Sequence, residues 1–218
     1  MHISDGIISV EVATITAIAS FGFCIFSFKN LTNEKISIVA AMSALFFVTS
    51  FIHIPFGPTQ IHLMLIGFIG IFLGELSFIA ISIALILQAL LLGFGGLSSL
   101  GANILVMSLP SYLVYLLFKL NFFQKLKDKI KYFLVGFLGV FFATIFLFLI
   151  LFFSKEEYLA VGYSIIAVNI PTMILEGIVT LFLLLYIKKT MPKLLKEVNL
   201  WKKFCLYLLF QFFYLLTK

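Results

Sequence analysis

The second residue of the chain, His2, could form a metal chelate together with the beginning of the chain itself. The α-amino group of Met1, the main-chain nitrogen of His2 and its imidazole Nδ1 would close one five-membered and one six-membered ring around a divalent ion. A fourth nitrogen would complete a square, a geometry that suits Ni(II) or Cu(II) and not Ca(II) or Mg(II), which prefer oxygen. The alternative is that His2 is an arbitrary exposed polar residue, because a single histidine is seldom a ligand.

Two further histidines, His53 and His62, could supply the fourth nitrogen. They stand at the two ends of a segment rich in proline and polar residues, and His62 begins an apolar run. His62 could meet the Met1-His2 pair in a pocket at the outer face, and His53 could be a ligand on the path by which a metal ion reaches that pocket. A structural histidine that is hydrogen-bonded to a carbonyl group is the alternative for His62.

The composition indicates that these histidines belong to a membrane protein. Hydrophobic residues make up 63% of the chain and charged residues 11%, with 28 Phe and a mean hydropathy of +1.21, which excludes an ordinary soluble domain. Lys29 is the first basic residue, so the chain lacks the basic start of a signal peptide and should keep Met1. We expect a multi-pass protein of a bacterial or archaeal plasma membrane.

The apolar runs predict an all-α fold of seven transmembrane helices with the N-terminus outside. Residues 62–92 are too long for one crossing of about 20 residues, and Gly74-Glu75 offers a break. The first of the two resulting helices is short and must be buried among others or face a cavity. The predicted helices are residues 7–28, 36–54, 62–73, 76–92, 103–120, 132–153 and 159–187.

The distribution of lysine supports this orientation. With seven crossings and the N-terminus outside, every lysine except Lys155 lies on the cytoplasmic side, as the positive-inside rule expects. A single helix over residues 62–92 would place the lysines of residues 119–131 outside, so the charges also favour the break. The net charge of +6 then reflects orientation and contact with membrane lipids, and it calls for no nucleic-acid partner.

Polar residues in the two predicted outer loops could orient the imidazoles. Both loops, residues 53–62 and 93–103, are rich in residues that turn sharply. Their side chains could hydrogen-bond the metal-binding rings or could simply cap helices and turns. The candidates are Asn103, Ser98, Ser99 and Thr59.

Two carboxylates are harder to assign. Asp5 could neutralise charge near the site, but we expect it to cap the first helix. Glu176 lies deep in the last predicted helix, where an ionisable group is costly. We expect it to pair with a polar group of another helix, with a proton or metal relay as the alternative.

Several segments resemble the substrate-binding membrane subunit of nickel and cobalt energy-coupling-factor transporters, the CbiM/NikM family. They are MHISDG at residues 1–6, TQIHL at 59–63, QALLLGFGGLSSLGAN at 88–103 and PTMILEGIVT at 171–180. The resemblance implies a seven-helix domain over residues 1–187, with the N-terminal strand tucked into an outward pocket. It also implies that Met1, His2 and His62 hold Ni(II) or Co(II) as the transported substrate.

The same resemblance implies partners: a coupling transmembrane subunit, ATPase subunits and a small accessory membrane subunit. The chain has no phosphate-binding loop that ends in Lys-Ser or Lys-Thr, so ATP hydrolysis would have to come from them, and we expect no enzymatic activity. The alternatives are a secondary transporter, although no inverted repeat is visible, or an intramembrane enzyme with no bound metal. Residues 188–218 form a basic cytoplasmic segment in which residues 204–216 could be an interfacial or an eighth helix.

Overall fold

The structure is a computed structural model that describes residues 2–56, 59–154 and 158–195. This part of the chain is nearly all helical, with one short two-stranded hairpin. Residues 204–216, predicted as an interfacial or eighth helix, lie outside the described residues. The elements are α1 (Val10–Lys29), α2 (Asn33–Thr49), β1 (His53–Phe56), β2 (Thr59–His62), α3 (Ile66–Leu73), α4 (Ser77–Leu92), α5 (Leu100–Lys119), α6 (Asn121–Gln124), α7 (Asp128–Ser154) and α8 (Tyr158–Thr190).

Helical stretches long and apolar enough to cross a membrane confirm the predicted class, an all-α multi-pass membrane protein. In the described part of the chain there are five: Val10–Lys29, Ile66–Leu92, Leu100–Lys119, Asp128–Ser154 and Ile165–Thr190. Helix α2, with 17 residues, is at the lower limit for a crossing. The number of crossings and their orientation stay predictions.

The long stretch Ile66–Leu92 is broken at Gly74, where the sequence predicts a break. Helix α3 ends at Leu73, and a 3₁₀ turn at Gly74–Leu76 leads into α4. Gly74 has φ +56°, and a Cβ there would lie 2.7 Å from the Tyr115 ring. A side chain at this position would therefore be both strained and obstructed.

The break at Gly74 reverses the direction of the chain. A straight helix over the 27 residues of Ile66–Leu92 would be about 40 Å long. Yet the His2 ring lies against both His62, just before this stretch, and Phe94, just after it. Because the two ends of the stretch meet at one residue, α3 and α4 run in opposite directions, and the site lies where α3 begins and α4 ends.

The helix ends predicted on either side of His53 and His62 are wrong. Helix α2 ends at Thr49 and not at residue 54, and His62 is the last residue of β2, with α3 starting only at Ile66. The two strands pair antiparallel with His53 opposite His62. Pro55 explains part of the difference, because the residue before a proline is disfavoured in helical conformation.

Helix α3 is packed tightly at the centre of the fold. A Cβ on Gly67 would lie 1.9 Å from the Val135 carbonyl oxygen of α7, and one on Gly70 would lie 2.0 Å from the Ser111 carbonyl oxygen of α5. The Ser111 hydroxyl also donates to the Ile66 carbonyl at 2.9 Å. Small residues let these backbones touch, so the place of α3 relative to α5 and α7 is closely determined.

Candidate metal centre

The structure brings the imidazoles of His2 and His62 together. Their ring centroids are 5.7 Å apart, and the ring planes differ by 12°. Two imidazoles bound to one ion at ordinary metal–nitrogen lengths of about 2 Å have centroids about 4–6 Å apart. The observed spacing is therefore within the range for two rings that share one ion.

The Nδ1 atom of His2 is the one that a chelate with the chain terminus requires. It is buried, and no hydrogen-bond partner for it exists among the described residues. Burial lowers the pKa of His2 to about 3, so the ring is neutral at pH 7 and its lone pair can bind a metal. A buried polar atom without a partner is costly, and a bound cation would supply what the protein does not.

Side chains alone do not complete a metal site around these rings in the described part of the chain. Among the residues that the structure describes, no group of three or more His, Cys, Asp or Glu side chains is placed to hold an ion. An ion between His2 and His62 would therefore need donors other than such side chains, and main-chain or terminal nitrogens could supply them. This requirement fits the predicted use of Met1, which lies outside the described residues.

Two of the polar candidates, Asn103 and Ser99, hold the N-terminal segment (residues 2–9) by its main chain. Asn103 accepts from the Ile3 N–H at 2.8 Å and donates to the Ile3 carbonyl at 3.0 Å. The Ser99 hydroxyl also donates to that carbonyl, at 2.6 Å. These side chains thus position the residue after His2 by its backbone, whereas the sequence suggested contact with the imidazoles themselves.

Asp5 does not cap the first helix, as the sequence led us to expect. Ser9 does so, accepting from the Val12 N–H at 3.3 Å. Asp5 instead accepts from the Ser98 N–H at 2.8 Å and from the Ser98 hydroxyl. The bond from that hydroxyl is the main reason why the pKa of Asp5 is lowered, so Asp5 is ionised at pH 7. Asp5 is thus a second residue through which the N-terminal segment is hydrogen-bonded to the rest of the protein.

The glycine loop (residues 93–99) fits around the N-terminal segment because Gly95 and Gly96 have no side chains. A Cβ on Gly95 would lie 2.8 Å from Asn103 Nδ2 and 3.5 Å from His2 Nδ1, and Gly95 has φ +83°. The Phe94 ring stacks on His2, with centroids 6.0 Å apart. Gly95 and Phe94 were not among the site residues predicted from the sequence, although the run of glycines there indicates a close approach of the backbone.

Replacing Gly96 by alanine should loosen the N-terminal segment and weaken metal binding by about tenfold or more, the range for residues that hold ligands in place. The new Cβ would lie 2.2 Å from the Asp5 carboxylate. Gly93→Ala is the matched control, because Gly93 also has positive φ but a Cβ there meets nothing within 4 Å. It should cost about 1–2 kcal/mol of backbone strain and leave the affinity for nickel, measured by calorimetry, almost unchanged. Equal affinities in the two variants would contradict the role of the Asp5 contact.

The remaining two candidates, His53 and Thr59, belong to the hairpin. The backbone of His53 lies directly opposite that of His62, and Thr59 begins β2. Their side chains lie outside the described part of the structure, so the role predicted for His53 on the path of the metal and that predicted for Thr59 stay predictions.

Comparison with known proteins places the chain among membrane proteins of metal transport. The chain matches the model of the CbiM family, described as cobalt uptake substrate-specific transmembrane region, over residues 2–194. A putative metal transport protein of Haemophilus influenzae is 30% identical over 203 residues, which cover 91% of this chain and 98% of that protein. The cobalt transport protein CbiM of Thermosipho melanesiensis is 34% identical over 197 residues, 83% of each chain.

A solved structure has the same fold. It is the crystal structure of a transition metal transporter, with a TM-score of 0.71 at 24% identity over 95% of this chain and 99% of that one. The family match includes His2, His62 and the glycine loop, so it covers the site as well as the helices. The chain therefore belongs to the CbiM family and is a membrane component of transition metal transport, not an enzyme.

Proposed function

We propose that this protein is the substrate-capture subunit of an energy-coupling-factor importer, and that it binds one Ni(II) or Co(II) ion through four nitrogens. The donors would be the Met1 amine, the main-chain nitrogen and Nδ1 of His2, and the ring of His62. The observation that carries the proposal is the meeting of the two rings, 5.7 Å apart and 12° from parallel. The buried and unpartnered Nδ1 of His2 supports it.

The chemistry of these donors favours Ni(II) as the substrate. Four nitrogens in a plane, without thiolate or carboxylate, suit a square-planar Ni(II) ion more naturally than Co(II). Cu(II) would bind at least as tightly in vitro, because it stands highest among these ions in general affinity. A divalent ion can promote loss of the proton from the His2 amide by binding its nitrogen directly.

Transport would depend on partner proteins. Without a phosphate-binding loop, this chain needs ATPase subunits and a coupling transmembrane subunit to convert ATP hydrolysis into uptake, and a small accessory membrane subunit would complete the assembly. Binding and energy supply would then reside in different chains.

Purified chain reconstituted alone into lipid vesicles should bind nickel but not accumulate it when ATP is supplied. Radioactive nickel retained in the vesicles measures uptake, and calorimetry in detergent measures binding. Strong ATP-dependent accumulation by the chain alone would contradict the proposed division of labour. Accumulation driven by an ion gradient alone would instead support a secondary transporter, and absence of metal binding would contradict the proposal as a whole.

A further inference from the structure

Glu176 of α8 is fully buried and bonded to the main chain just beyond His62. Its carboxylate accepts from the Met64 N–H and from the Leu65 N–H, at 3.0 Å and 3.1 Å for the two oxygens. From the sequence we expected a polar group of another helix as the partner of Glu176. The partner is instead the start of α3, where the main-chain N–H groups lack acceptors within the helix itself.

A carboxylate suits this position for two physical reasons. Helix α3 has no side-chain cap of its own, because Leu65 stands at the capping position with φ +51° and an apolar side chain. Hydrogen bonds from N–H groups to an ionised acceptor are stronger than those to a neutral one, and the start of a helix carries partial positive charge. Glu176 thus holds, from another helix, the two N–H groups that immediately precede the first residue of α3, Ile66.

Helix α8 is itself held firmly at Glu176. A Cβ on Gly136 of α7 would lie 2.2 Å from the Glu176 carbonyl oxygen, and one on Gly139 would lie 2.6 Å from the Gly67 nitrogen of α3. The backbones of α3, α7 and α8 therefore touch around one point. The Glu176 side chain extends from this rigid unit to the short link, residues 63–65, which connects α3 to His62.

We propose that Glu176 is a positioning residue for His62. By holding the Met64 and Leu65 N–H groups, it sets the path of the link and with it the place at which His62 leaves β2 to meet His2. Leu63, Met64 and Leu65 are all buried, so the link cannot shift without disturbing the packing around it. This inference rests on the proposed function in one respect, that His62 binds the metal.

The test compares Glu176→Gln with wild-type protein in detergent, using NiCl₂ and CoCl₂ as probes. Gln keeps the shape of the side chain but replaces one acceptor oxygen by an NH₂ group. Because Leu65 N–H lies close to both carboxylate oxygens, this NH₂ group would face the Leu65 N–H donor to donor and push the link away. Nickel affinity measured by calorimetry should fall by about 10- to 100-fold, as for other groups that orient a ligand. The absorption band of planar Ni(II) should weaken, because displacing the His62 ring distorts the square-planar coordination. For the same reason the affinity for nickel should fall more than the affinity for cobalt.

Thr180→Val is the matched control. Thr180 lies one turn further along α8 and is equally buried, and its hydroxyl has no hydrogen-bond partner among the described residues. This variant should keep both the nickel affinity, within about twofold, and the absorption band. If Glu176→Gln does not yield folded protein, Glu176→Asp carries the same test, since it keeps the charge but draws the carboxylate back from the link.

The possible results separate the positioning role from a purely structural one and from the proposed function. A lower melting temperature with unchanged nickel affinity and absorption in Glu176→Gln would show that Glu176 only stabilises the fold, and would overturn the inference. Wild-type binding that disappears in His62→Ala but persists unchanged in Glu176→Gln would do the same while leaving the proposed function intact. Failure of the wild-type chain to bind either metal would overturn both.

Discussion

Five residues, Gly-Ser-Gly-Ser-Gly, added before Met1 are expected to lower nickel affinity at least about a hundredfold, equivalent to about 2.7 kcal/mol of binding free energy. The extension converts the Met1 amine into an amide and carries the new amine too far from His2 to close the two small rings. A single added residue would be a poor test, because a histidine in third place offers Ni(II) four planar nitrogens from the amine, two amides and its own Nδ1. Acetylation of the amine should have the same effect, because it removes the donor without changing the sequence. Calorimetry with nickel and cobalt on the extended and unmodified chains measures the change.

The same five residues added after Lys218 are the control for this experiment. They leave the terminal amine untouched, so affinity should remain that of the unmodified chain. Should the N-terminal extension bind nickel and cobalt as tightly as this control, the terminus is not a ligand, and His2 serves only as a buried residue stacked between His62 and Phe94.

His62→Ala should abolish tight metal binding, with a loss of at least about a hundredfold, and leave the fold in place. The substitution removes the fourth nitrogen ligand, so the square-planar coordination of the ion is incomplete. The side chain is half-buried at the end of β2, so its loss should disturb the core little. Calorimetry reports the affinity, and the thermal unfolding of the metal-free protein reports the fold.

His53→Ala is the comparison, since His53 is the backbone partner of His62 in the hairpin. A residue on the path of the metal affects the rate of loading more than the final affinity, so the loss at equilibrium should be no more than a few-fold. Equal losses in the two variants would remove the special role of His62, and with it the proposed set of four nitrogens.

The break near Gly74 shows how far local reasoning reaches. The excessive length of the apolar stretch, the glycine and the lysine distribution all predict it, and the structure has the 3₁₀ turn there. These are properties of a few neighbouring residues and of the thickness of the membrane. By contrast, the end of α2 was predicted too late and the start of α3 too early, because apolar residues in a hairpin and in a helix look alike when counted.

The polar residues of the outer loops show where such reasoning stops. Asp5 precedes a helix, and an acidic residue at that place is a common cap, yet its partner is Ser98 in a loop far along the chain. The choice between the two depends on how closely the glycine loop approaches the N-terminal segment. The residues next to Asp5 in the sequence do not indicate this approach. It is possible because Gly95 and Gly96 have no side chains.

The sequence by itself determined the membrane class, the approximate helices and the chemistry of the candidate donors, because composition, apolar length and the types of nitrogen donor are local properties. Only the tertiary structure decided that His2 and His62 meet, that Asn103 and Ser99 hold the backbone of Ile3, and that Glu176 holds the main chain just before α3. These contacts join residues about a hundred positions apart or bring two loops together. They follow from the reversal at Gly74 and from the close approach of glycine-bearing backbones, which no short window of sequence encodes.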